Sequence, residues 1–65
     1  MDKNLDHLFT IVLVDEDGNE RFHYFNTSSF YYAFLIAKHY ISHAKYTEDV
    51  CLSLKSITDN SLNSK

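Results

Sequence analysis

Sixty-five residues form one domain with a small core, and a single cysteine, Cys51, rules out an internal disulfide. One glycine and no proline leave no glycine-rich phosphate loop. Nine acidic residues against six basic ones, a formal net charge of −3, argue against generic nucleic-acid binding through a basic footprint.

A lone thiol suits a reducing compartment. No charged start leads into an apolar run like that of a signal peptide, and no stretch is long enough to span a bilayer, so the expected location is the cytoplasm. A core this small is commonly reinforced by a disulfide, a metal or oligomerisation.

In chain order, Met1 to His7 is polar and expected to fray. Leu8 to Val14, LFTIVLV, is β-branched and short, and reads as the first strand. Asp15 to Glu20, DEDGNE, is a turn, with Asp17-Gly18 as a two-residue hairpin signal. Arg21 to Phe25 returns as the second strand. A turn centred on Asp17-Gly18 sets Leu13 opposite Phe22 and Ile11 opposite Tyr24. Phe9, Ile11, Leu13, Phe22 and Tyr24 then share the core face, and Leu8, Thr10, Val12, Val14, Arg21, His23 and Phe25 the other.

Ser28 to Lys45, SSFYYAFLIAKHYISHAK, carries the chain's one sustained helical period. Asn26 to Ser29 offer capping side chains, and His39, His43 and Lys45 suit the negative end of the dipole. At about 100° per residue, Phe30, Ala33, Phe34, Ala37, Tyr40, Ile41 and Ala44 form one stripe, expected to cover the sheet. Tyr46 to Asp49 reads as a connection. Val50 to Ile57, VCLSLKSI, alternates as a third strand, with Val50, Leu52 and Leu54 inward and Cys51, Ser53 and Lys55 outward. Thr58 to Lys65 is Ser/Asn-rich and expected to be disordered, which leaves an ordered core over about residues 8–57.

The expected fold is α+β: β-β-α-β, a three-stranded antiparallel sheet in the order 2-1-3 with the helix on one face. That topology gathers six of the nine carboxylates at one end. Asp15, Glu16, Asp17 and Glu20 lie at the hairpin tip, and Glu48 and Asp49 lead into the third strand. Such a cluster can stand in for phosphates and steer the protein toward a basic partner.

The outward helix side carries Tyr31, Tyr32, Leu35, Ile36, His39 and His43 where a solvated helix would carry Glu, Lys and Gln. A contiguous apolar patch of this type marks a partner surface, and its simplest cover is a second copy, so these six are the expected homodimer interface. A two-fold contact containing His39 and His43 is expected to loosen toward pH 5, because protonation brings like charges together. No metal or cofactor is expected: His39 and His43 have ligand spacing, but the helix lacks a carboxylate or thiol to complete the shell. Asp15-x-Asp17-Gly18-Asn19 lacks the closing glutamate of a calcium loop. Cys51, on the outer face of the third strand, has His23 two strands away as its one conceivable activating neighbour and reads as a small half-buried residue; no catalytic constellation is visible, so the chain reads as a binding protein and not an enzyme.

The run IVLVDEDGNERFHYF, the serine-capped aromatic helix and TEDVCLSLKSI resemble the small phage-encoded, dimeric, DNA-mimicking inhibitors of uracil-DNA glycosylase, over roughly Leu8 to Ile57. The resemblance implies a β-β-α-β fold, dimerisation through the helix, and a pocket at the dimer that takes an apolar residue of the enzyme. Phe30 and Phe34 are the positions that match the family's pocket aromatics. His23 stands where the resemblance implies an acidic contact residue. The expected partner is therefore a protein that acts on DNA or RNA, without direct contact to nucleic acid or membrane. Two other readings fit the same residues: a different phage counter-defence or host-takeover inhibitor, of the anti-CRISPR kind, and a small nucleic-acid-binding or regulatory module that uses Lys38, His39, His43 and Lys45.

Overall fold

The computed structural model describes residues 7–60. The elements are β1 (His7–Val14), β2 (Glu20–Thr27), α1 (Phe30–Glu48) and β3 (Ser53–Asp59). Both ladders are antiparallel and the strand order is β2-β1-β3, the expected α+β topology with one helix on one sheet face. The most apolar strand, β1, is central and buries Phe9, Ile11 and Leu13 completely.

The hairpin register differs from expectation by one residue. The loop is not the two-residue Asp17-Gly18 turn. Asp15 N–H donates to Asn19 O at 3.0 Å, and Gly18 N–H to Asp15 O at 3.1 Å, so Glu16, Asp17 and Gly18 form a three-residue loop. Gly18 closes it at φ +88°, the left-handed position such loops require. The Asp15 carboxylate locks the geometry by accepting the Asp17 and Asn19 N–H groups, each at 2.9 Å. One residue more in the loop moves every β2 side chain to the opposite face. Leu13 therefore pairs with Arg21, Ile11 with His23 and Phe9 with Phe25. Arg21, His23 and Phe25 join the helix side, and Phe22 and Tyr24 face away from it.

The helix starts at Ser29, whose hydroxyl accepts the Tyr32 N–H at 3.3 Å. It runs three residues past Lys45, so Tyr46, Thr47 and Glu48 are helical and not connection. Nothing between Lys45 and Glu48 breaks a helix. The stop comes at Asp49, which takes the left-handed cap conformation (φ 59°, ψ 38°) while Val50 N–H reaches back to Ala44 O at 3.3 Å.

Ala33, Ala37 and Ala44 form the buried line of α1, and their small side chains bring the backbone close to the sheet. The large residues expected beside them divide unevenly. Tyr40 and Ile41 are half-buried against the core of Ile11, Leu13 and Leu52, and so is Ile36, which was expected outward. Phe34 was expected inward but is 43% exposed, with the Lys38 ammonium 5.6 Å from its ring centre. Phe30 sets its edge on Phe9 at 5.0 Å and keeps half its surface exposed. The sheet-facing side of α1 thus takes in Ile36 and leaves Phe34 at the rim.

β3 begins three residues later than expected and ends two later. Val50 and Leu52 do pack on the core, but ahead of the strand. A bulge follows: Leu13 pairs with Leu54, and Val12 with Ser56, leaving Lys55 as the extra residue. The bulge restores the inward phase, so Leu54 and Ile57 both meet the core. Thr58 and Asp59, expected in the disordered tail, pair with Thr10 and Phe9. The Asn60 side-chain amide donates to Thr10 Oγ1 at 2.6 Å. The rest of the tail, residues 61–65, and the N-terminal segment before His7 lie outside the described residues. Among the described residues no helix is long and apolar enough to cross a membrane.

In urea unfolding at fixed protein concentration, Ile11→Ala is expected to cost about 2–5 kcal/mol as a buried large-to-small change. Phe34→Ala should cost less than half of that, because the ring is only partly covered. Gly18→Ala should cost about 1–2 kcal/mol although nothing lies within 4 Å of the added methyl, since the strain is in the backbone alone.

Candidate partner-binding surface

α1 sits closer to β3 than to β2, which leaves a trough along its β2 side. Its main part, about 510 Å³, is lined by Thr27, Tyr32, Leu35, Ile36, His39, Tyr40 and His43. Leu35 and Ile36 supply apolar surface, Tyr32 and Tyr40 aromatic surface, and the two histidines, whose rings stack at 6.0 Å, lie at one end. Tyr40 is the hub. Its ring stacks on His23 at 4.2 Å and on Phe25 at 5.5 Å, so β2 side chains hold it in place. A smaller extension of about 160 Å³ shares Tyr40 and His43 and runs on to Arg21 and Glu48. The trough thus leads from the start of the helix to the hairpin end.

Five residues of the expected dimer face line this trough: Tyr32, Leu35, Ile36, His39 and His43. Tyr31 does not, although it is exposed and its ring meets Tyr32 at 5.7 Å. Thr27, Tyr40 and His23 escaped the reading of the sequence. Helical periodicity assigns Tyr40 to the buried stripe, and a two-residue Asp17-Gly18 turn puts His23 on the far face. Phe30 and Phe34, the pocket aromatics implied by the resemblance, lie outside the trough.

The topology brings the six carboxylates to one end, but their side chains are differently engaged. Asp15 is committed to the loop. Arg21 grips Glu48 with both terminal nitrogens, at 3.1 and 3.5 Å, tying the last turn of α1 to β2. Lys45 pairs with Asp49 at 3.2 Å and also lies 3.8 Å from the exposed Cys51 sulfur. Lys55, the bulge residue, pairs with Glu20. Among the described residues only the Glu16 and Asp17 carboxylates make neither a hydrogen bond nor an ion pair. Three cations therefore offset half the cluster, and the free negative charge sits at the loop tip. Exposed pairs of this kind contribute little to stability, so their effect is chiefly on the field.

Of the cations named for a nucleic-acid module, Lys38 lies over Phe34 and Lys45 is paired. Among the described residues no group of three or more His, Cys, Asp and Glu side chains is placed to hold a metal ion. No family model matches the chain, and neither a curated protein nor a solved structure matches it.

The Asn19 backbone hydrogen bond, helped by the Asn19 side chain, the Asp17 N–H and the Arg21 charge, holds the Asp15 carboxyl below its ordinary value of 3.8 against an opposing desolvation. A folded pKa below the unfolded one adds stability above 3.8 that is lost as pH falls through the folded value. Thermal unfolding followed from neutral pH into acid should therefore show Asp15→Ala less stable than wild type, with the gap closing below pH 3.8.

Proposed function

We propose that this protein is a non-enzymatic binding protein that acts by occupying a surface of another protein. The helix–β2 trough takes an apolar protrusion of the partner, and the acidic tip approaches a basic patch beside it. The observation that carries this reading is an adjacency: the apolar, aromatic-lined trough shares Tyr40 and His43 with a second cavity that reaches Arg21 and Glu48, at the end of the molecule that carries the hairpin tip. Partners with an apolar feature next to a basic groove are typically proteins that handle nucleic acid. The reading is thus of an inhibitor that blocks such a groove, with uracil-DNA glycosylase the first target to test because of the sequence resemblance. In this role Glu16 and Asp17 steer association, and Tyr32, Leu35 and Ile36 set residence time. His23, at the position of an implied acidic contact, is instead spent on Tyr40.

Uracil excision from duplex DNA by a bacterial uracil-DNA glycosylase should stop at equimolar protein, and an enzyme unaffected by a large excess would remove that target. For any bound partner, duplex DNA should compete for the same surface; a complex indifferent to excess duplex would exclude mimicry. Glu16→Lys with Asp17→Lys should slow association several-fold at low salt, and the difference should vanish near about 0.5 M salt. Tyr32→Ala with Leu35→Ala should instead speed dissociation and leave the salt dependence intact.

A further inference from the structure

The register of the hairpin leaves the sheet with a second apolar side. On the face away from α1, Phe22 is 53% and Tyr24 63% exposed, with Leu8 exposed beside them. Val12, in register between Phe22 and Ser56, is only 8% exposed, so the centre of the face is already dry. Asn26, opposite Leu8, and Thr10, Val14, Ser53, Ser56 and Thr58 complete it. Its charges are the Glu20–Lys55 pair at the hairpin end, which cancel. In a chain of net charge −3 this is a broad neutral surface.

We propose that this sheet face is the contact between two copies of the chain, packed sheet on sheet. The occupant follows from area and charge. Strands of seven to eight residues rise about 3.3 Å per residue and lie about 4.8 Å apart, which gives a face of roughly 26 by 14 Å. Taken flat, that is about 360 Å² per copy and about 730 Å² for two, to which side-chain relief adds, so the contact lies at the low end of specific interfaces and the dimer is a weak one. A neutral, aromatic and hydroxyl-bearing face is self-complementary: it meets its own image with no like charges opposed. Charge also fixes the direction. A two-fold axis along the strands would bring both hairpin ends, with Glu16 and Asp17, to the same pole. An axis across the strands sends them to opposite poles, and this is the arrangement proposed. It leaves both troughs open, so the contact is independent of the helix-side function.

Sedimentation of the full chain at about 100 µM, well above a micromolar Kd, should give twice the 7.6 kDa chain mass. Phe22→Lys with Tyr24→Lys should give the monomer mass, with helix content checked by circular dichroism. Tyr24→Ser, a milder change at an exposed site, should weaken the dimer at least tenfold. Tyr32→Lys with Leu35→Lys, on the trough, should leave the dimer intact. The sheet contact contains no histidine, so its Kd should not change between pH 7.5 and 5.5, whereas a contact through His39 and His43 would loosen. A monomeric wild type overturns the proposal, and so does a dimer lost in the trough variant but kept in both sheet variants.

Discussion

The closure of the β1–β2 hairpin by Asp15 is the constraint on which the rest depends. One carboxylate takes two backbone N–H groups and Gly18 takes the left-handed step, so the loop holds three residues. That number sets the parity of β2. With it, His23 and Phe25 lie on the helix side and stack on Tyr40. The trough opens beside Tyr40 on the β2 side, and Phe34 stays partly exposed outside it. The same parity turns Phe22 and Tyr24 outward and makes the far face apolar. A two-residue loop would have turned Phe22 and Tyr24 toward the helix, put His23 and Arg21 on the far face and removed the His23 and Phe25 rings on which Tyr40 stacks.

The core is correspondingly lean. Its fully buried large side chains are Phe9, Ile11 and Leu13, all from β1, and the helix adds mainly alanines. Alanine buys proximity at little side-chain entropy but contributes little buried area. Much of the aromatic content sits half-covered at the two surfaces. Exposed aromatic surface of this extent is what both proposed contacts rest on.

The element order, the central place of β1, the antiparallel 2-1-3 sheet and the grouping of carboxylates were legible in the sequence, because each follows from apolar periodicity and connection length. The register was not, because Asp17-Gly18 serves both a two-residue turn and the last two positions of a three-residue loop. What separates them is the Asp15 side chain, a contact between residues two and four apart that no hydrophobic pattern reports. β3 shows a similar blindness: VCLSLKSI alternates well, yet the bulge at Lys55 lets Leu54 and Ile57, three apart, both face inward. In the candidate site, Tyr32, Leu35, Ile36, His39 and His43 were legible as apolar or histidine positions on a face lacking acidic residues. Tyr40 was not, because a half-buried ring that walls a trough has the same periodicity as one that fills a core.

The two proposed contacts lie on opposite layers of a two-layer molecule. The helix covers one side of the sheet and the trough opens beside it; Phe22 and Tyr24 occupy the other side. A partner in the trough therefore does not compete with a second copy on the sheet. In an antiparallel pair the two troughs point outward and the two acidic tips lie at opposite poles, so each copy meets a partner alone. Such a dimer gains no shared pocket. It gains stability for a core too small to be secure alone, by covering Phe22 and Tyr24 and extending the cover over Val12, the one dry residue on the outer face. The separation also bears on the ion pairs. Glu20–Lys55 crosses β1 on the dimer side and Arg21–Glu48 joins strand to helix on the trough side. Each of the two surfaces is thus bounded toward the acidic end by a neutralised pair, and the charge of the cluster that no cation pairs is confined to the loop, on Asp15, Glu16 and Asp17.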